Sequence, residues 1–249
     1  MGVGVERDLK IAHQWIKKSA SQGYADAQQN LALMYEQGKG IKKNPILANK
    51  WHLESAKSGN HEEQYRLAKA YLDSEDYNQA FIWLLKSAKQ DNAQAQYQLG
   101  HLFARGQGVP HDPDQAFDWY QQAMKNGNDE VVYILAGLYD QGLGTKKDYQ
   151  KSHKLYQQAK VQGNLDAYQD IARHYEKGQG VKKNLSKAYI FSIAAARKGH
   201  SDSQRKVAEM YEQGSGVKKS VKKAKYWLEK LTKKGDKTAK RDLKRLQKR

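Results

Sequence analysis

Gly23–Gly59 reads GYADAQQNLALMYEQGKGIKKNPILANKWHLESAKSG, and its internal order is that of two helices joined by a loop. Leu31 and Tyr35 lie four apart, with Ala27 and Gln28 one turn earlier, so one stripe of the first helix is apolar or small. Gly38 can take the left-handed conformation that ends such a helix. In the loop that follows, Asn44 suits an N-cap and Pro45 the first helical position. The second helix carries Ala48, Trp51, Ser55 and Ala56 on one face and stops at Gly59.

The stretch recurs. Its boundary glycine returns at Gly127, Gly163, Gly199 and Gly235, 36 residues apart. The 68-residue gap from Gly59 to Gly127 holds one unit of 32 and one of 36, with Asp91 in the glycine's place. Gly-x-Gly keeps the same beat at Gly38/Gly40, Gly106/Gly108, Gly142/Gly144, Gly178/Gly180 and Gly214/Gly216. The Leu31 position becomes Leu67, Leu99, Leu135, Ile171 and Val207, and the Tyr35 position becomes Tyr71, Phe103, Tyr139, Tyr175 and Tyr211. The Trp51 position is Trp15, Trp83, Trp119, Leu155, Phe191 and Trp227, which reads as a third core column. A fixed period of this length means stacked helix pairs rather than one globular core.

The expected architecture is therefore a single all-α solenoid over residues 1–249. It comprises a partial repeat with only its second helix (1–23), six complete units (24–235) and a basic C-terminal capping helix (236–249). The unit 60–91 lacks Gly-x-Gly and has Asp73-Ser74-Glu75-Asp76 instead, which predicts a tighter turn. Gly2, Gly4 and Val5 align with Gly38, Gly40 and Ile41, so the chain is expected to open inside a repeat, as a truncated start would. The expected state is a monomer, with end-to-end stacking possible through the terminal helices.

Composition narrows the function. The absence of cysteine excludes disulfides, thiolate catalysis and cysteine metal sites. No apolar run approaches the length of a membrane-spanning helix. The net charge of +17 is uneven: residues 200–249 hold 17 basic side chains against 6 acidic. A basic patch of Lys218, Lys222, Lys223, Lys233, Lys234, Lys240, Arg241, Lys244 and Arg245, continued by Lys248 and Arg249, is the result. Two readings stay open for it: a solvated cap that stops further stacking, or a surface for an acidic protein, nucleic acid or an anionic membrane. No nucleic-acid motif accompanies the charge, which disfavours nucleic acid.

The residues resemble the Sel1-like repeat family, a relative of the tetratricopeptide repeat. The matching run is Ala116 through Gly127, followed by Leu135, Tyr139, Gly142 and Gly144, with comparable runs in nearly every unit. The resemblance implies a right-handed α-α superhelix with first helices lining its concave face. It also implies non-catalytic adaptor or scaffold roles, in bacterial signalling, envelope assembly, effector action or toxin neutralisation.

Candidate binding residues lie off the core stripe. Counted from the unit glycine, offsets 6 and 10 point away from it at 100° per residue. They bring forward Tyr65, Lys69, Tyr97, His101, Tyr133, Arg173 and Arg205 as a strip for a protein partner with an acidic surface. The tyrosines could equally pack against the next repeat. His61-Glu62-Glu63 lacks the second histidine of a zinc-protease helix, and the Gly-x-Gly loops follow helices rather than strands, so neither supports a metal or phosphate site. No catalytic set and no cofactor is implied. The expected function is a protein–protein interaction scaffold, with polyanion binding through the basic C-terminal helices as the alternative. Nothing in the sequence assigns a compartment.

Overall fold

The computed structural model describes residues 8–247, and across them the chain forms fourteen α-helices in two compact units divided after Asn128. Gly2, Gly4, Val5, Lys248 and Arg249 lie outside the described residues. The first unit holds α1 (Leu9–Ser21), α2 (Ala25–Gln37), α3 (Pro45–Lys57), α4 (His61–Asp73), α5 (Tyr77–Ala88), α6 (Ala93–Arg105) and α7 (Pro113–Lys125). The second holds α8 (Val131–Gln141), α9 (Tyr149–Val161), α10 (Asp166–Lys177), α11 (Leu185–Arg197), α12 (Ser201–Gln213), α13 (Val221–Lys233) and α14 (Lys237–Gln247). In both units each helix packs on its neighbours in the chain, most closely within the pairs α2/α3, α4/α5, α6/α7, α8/α9, α10/α11 and α12/α13. Among the described residues no helix is long and apolar enough to cross a membrane.

Local chemistry sets the helix ends. The second helix of each pair starts at a capping side chain whose oxygen accepts from the first-turn amides: Asp8, Asn44, Asp76, Asp112, Asp148, Asn184 and Ser220. Within Gly-x-Gly the two glycines do different work. Gly178 takes the left-handed conformation (φ 74°) and its amide bonds the His174 carbonyl, closing α10. Gly180 also has positive φ, but its hydrogen matters as much: a Cβ there would collide with the carbonyl of Tyr149, the first residue of α9. Gly40, Gly108 and Gly216 sit the same way on Leu9, Tyr77 and Leu185. In these four loops the second glycine thus lets the backbone rest on the preceding second helix. The α4–α5 turn without this motif is three residues long, Ser74 to Asp76, and puts Glu75 at φ 59°.

Two interactions join successive repeats. The first is a pair of rings 22 residues apart, one from a second helix and one from the next first helix, in edge-to-face contact: His13–Tyr35, Phe81–Phe103, His153–Tyr175 and Tyr189–Tyr211, with centroids 5.4–6.0 Å apart. The second is a buried glutamine early in a first helix. Its side-chain amide donates to a carbonyl at the end of the preceding helix: Gln28 to Ala20, Gln64 to Ala56, Gln96 to Ala88 and Gln204 to Ala196, at 3.0–3.2 Å. It adds a second bond to a carbonyl that already accepts from the backbone amide closing the turn, that of Gly23, Gly59, Asp91 or Gly199.

The tryptophan column is not core in the way its size suggests. Only Trp227 is buried; Trp51, Trp83, Trp119, Leu155 and Phe191 are half-buried, and Trp15 is 66% exposed. The buried position is the next residue along: His52, Leu84, Tyr120, Tyr156, Ser192 and Leu228. A second helix wedges between two first helices, so its buried arc is centred between them rather than on its own partner.

Gln96→Leu should lower stability by about 1 kcal/mol, because it removes the Gln96 bonds to the Ala88 carbonyl and from the Asn126 side-chain amide, each of which keeps a second partner at Asp91. Thermal unfolding by circular dichroism measures this. An unchanged midpoint would show that the glutamine bond contributes nothing net.

Candidate functional site: a tyrosine-lined groove

The 32-residue spacing between α4 and α6 sets two like stripes beside each other. On α4 the positions i, i+4 and i+8 are Tyr65, Lys69 and Asp73; on α6 they are Tyr97, His101 and Arg105. With Tyr77, Gln98 and Gln107 they line a groove of about 380 Å³. Four of the seven sequence-derived binding residues, Tyr65, Lys69, Tyr97 and His101, therefore meet at one place. Arg105, Gln98 and Tyr77 join them. Arg105 continues the same column by one turn.

The groove wall is built on Tyr120 of α7. Its ring fills the space over Gly100, where a Cβ would approach to 2.5 Å. Its hydroxyl lies 3.1 Å from His101 Nδ1. The His101 ring stands edge-to-face against Tyr97 at 4.5 Å and against Tyr120 at 5.5 Å. Burial first, and then the Arg105 charge, hold His101 below its ordinary pKa. Burial, followed by its proximity to Tyr97, pushes the Tyr120 hydroxyl up. Tyr120 thus shares one hydrogen bond with a neutral His101. The cationic side chains at the groove are Lys69 and Arg105, against the single carboxylate of Asp73.

In the second unit the corresponding face is wired internally. Tyr133 O–H donates to Asp170 Oδ2 at 2.9 Å, and Arg173 reaches Asp140, Asp170 and Gln179 at 2.9–3.1 Å. Arg205 pairs with Asp236. Burial and the Asp170 carboxylate raise the Tyr133 pKa; burial works against charge on Arg173, but Asp170 and Asp140 outweigh it and keep the guanidinium charged. A groove of about 470 Å³ lies here as well, with Asp166, Asp170, Glu176 and Asp202 among its walls. Tyr133 and Arg173 line this groove too, with Lys177 and Lys206, but four carboxylates stand among these cations, whereas the first unit's groove sets Lys69 and Arg105 against Asp73 alone.

The nine residues of the basic patch are all exposed. Lys234 donates to the Gly199 carbonyl, Arg245 forks onto Glu212 at 2.6 and 2.8 Å, and Lys223 sits over the Tyr211 ring. On α14, Ala239 and Leu246 are buried. Among the described residues no cluster of histidines and carboxylates could hold a metal ion.

A buried polar chain in the second unit is absent from the sequence reading. Gln157 Nε2 lies 3.3 Å from His153 Nε2, His153 Nδ1 3.3 Å from His174 Nδ1, and His174 Nε2 2.7 Å from Asp140 Oδ1. One donor per bond requires both rings neutral, each passing its proton toward Asp140. The two histidines are 21 residues apart on adjacent helices, close to the 22 of the aromatic pairs, which is the one signal the sequence offers.

Burial, then the neighbouring His174 and Lys160, push His153 down to about 4. The unfolded chain titrates near the ordinary value of about 6.5. Stability from this chain is complete above pH ~6.5 and is lost as pH falls toward ~4, because only the unfolded state takes up the proton in that window. Urea midpoints measured from neutral pH to pH ~4 should fall, and His153→Phe, which copies Phe81 and Phe117, should flatten that fall. Equal slopes in both proteins would contradict the assignment.

The Sel1 repeat pattern matches residues 1–24, 25–60, 64–92, 93–128, 130–164, 165–200 and 201–236. A protective antigen of uropathogenic Escherichia coli strains with an SLR fold is 33% identical with a TM-score of 0.78, over 96% of this chain and 52% of the antigen. The chain thus spans about half the antigen's length. A Sel1 repeat protein from Oxalobacter formigenes is 24% identical with a TM-score of 0.64, over 91% of this chain and 97% of that one. No curated protein gives a significant match. With the repeat pattern covering nearly the whole sequence, the chain belongs to the Sel1 repeat family.

Proposed function

We propose that the protein is a non-catalytic interaction scaffold whose first unit binds an acidic segment of a partner protein in the groove between α4 and α6. The observation that carries this reading is the convergence of Tyr65, Tyr97, Lys69 and Arg105 on one groove that holds the single carboxylate of Asp73. Tyrosine gives wide contact at small entropic cost, and its hydroxyl orients a polar ligand. The two cations favour carboxylates and speed encounter with an acidic surface. His101, neutral and braced by Tyr120, offers its second ring nitrogen for a hydrogen bond without adding charge. Tyr133, Arg173 and Arg205 belong to the second unit's own network in this reading, and their aspartate partners make that face a weaker attractor for acid.

Affinity capture from a nuclease-treated extract, with mass spectrometry, should retain one or a few proteins on the wild-type chain. Lys69→Glu/Arg105→Glu should release them, by a loss of about tenfold or more in affinity. Tyr97→Ala separates binding from packing. It should weaken capture while moving the melting temperature little; a drop of many degrees with capture intact would make Tyr97 a packing residue. Capture unaffected by any of these changes would remove the groove from the function.

A further inference from the structure

The second unit separates its charge between its two sets of helices. α9, α11 and α13 together carry ten lysines and arginines against the single acid Glu229. α8, α10 and α12 carry seven acids against four bases. The first-helix set thus has a negative excess and the second-helix set a large positive one.

The positive set has a defined outer stripe. Positions 150, 154, 158 and 161 fall within an arc of about 80° on α9 at 100° per residue, and the 36-residue period repeats them on α11 and α13. One column of the stripe is Lys154, Ile190 and Tyr226; another is Val161, Arg197 and Lys233. Lys222 and Lys230 complete the α13 edge. All eight residues are exposed, the apolar ones substantially: Val161 82%, Ile190 56% and Tyr226 50%. The flanking lysines have another use. Lys151, Lys187 and Lys223 each lie 5.2 Å from the centroid of a first-helix tyrosine ring, Tyr139, Tyr175 and Tyr211, and so brace the helix pairs. In the first unit the equivalent stripe is interrupted by acids, Glu54 on α3 and Asp114 and Asp118 on α7, whereas α9, α11 and α13 carry none in theirs.

We infer that the outer face of α9, α11 and α13 is a docking surface for an anionic lipid bilayer. Lysines spread over a helix face add up against a negatively charged leaflet, where each contributes about 1 kcal/mol. Val161, Ile190 and Tyr226 stand among them where they can enter the headgroup boundary, the arrangement that interfacial binding needs. A single-stranded nucleic acid would use the cations but gains nothing from Val161 or Ile190, since aliphatic side chains give bases no stacking platform. The exposed aliphatics therefore favour a bilayer. This inference is independent of the groove on the first unit.

The test is co-sedimentation of the full chain with phosphatidylcholine vesicles, with and without about one-third phosphatidylglycerol. Binding should require phosphatidylglycerol and weaken with salt. Lys222→Gln/Lys230→Gln/Lys233→Gln should reduce partitioning roughly tenfold or more. Val161→Ser/Ile190→Ser, which keeps every charge, should reduce it severalfold while leaving any binding to a single-stranded oligonucleotide unchanged. Lys69→Glu/Arg105→Glu should leave vesicle binding unchanged, which separates this surface from the groove. Circular dichroism of each variant confirms folding, as all the substituted positions are exposed. No sedimentation with phosphatidylglycerol vesicles, equal sedimentation without phosphatidylglycerol, or indifference to Val161→Ser/Ile190→Ser would overturn the inference. In the last case, loss of oligonucleotide binding in the lysine variant would assign the face to nucleic acid.

Discussion

The structure depends on how closely one repeat can approach the next. Where the loop glycine lies against the first residue of the preceding second helix, no side chain can intervene, and the edge-to-face ring pair fixes the angle of contact. The buried glutamine then closes the helix ends that this approach removes from water. A solenoid has no central core, so its stability is built from such nearest-neighbour contacts. Within each unit the spacing of every surface column follows from them, including the two stripes that make the groove.

This regularity explains what the sequence could reveal. Period, caps and helix pairing were readable because each rests on a local choice made again every 36 residues, as with Asn44 and Pro45 or Gly38. The substitution of Asp91 for glycine left the fold intact because aspartate tolerates the left-handed backbone it adopts there, at φ 61°. The tryptophan column misled for a physical reason. Amphipathic spacing identifies the buried side of a helix, but the centre of that side depends on where two neighbouring helices lie, and Tyr120 rather than Trp119 occupies it.

The candidate site was legible in part. Tyr65, Lys69, Tyr97 and His101 follow from helical geometry and the repeat length. The difference between the units does not, because it rests on pairs such as Arg173–Asp140 and Arg205–Asp236, which are 33 and 31 residues apart and join neighbouring repeats. Sequence alone presents Lys69 and Arg173 as equivalent members of one column. In the structure both line grooves, but Arg173 is bonded to two aspartates. The buried Gln157–His153–His174–Asp140 chain was hidden likewise, since scattered histidines show no ligand spacing until helix packing brings them together.

The central claim is that the groove between α4 and α6 is where a partner sits. A photo-crosslinking residue placed at Gln98, which lines the groove, tests this directly, with a second placed at Gln122 on α7 as the control. The account predicts that the probe at position 98 crosslinks a partner through a segment rich in aspartate and glutamate, and that the probe at 122 does not. Crosslinks to the same partner from position 122 and none from 98 would contradict it.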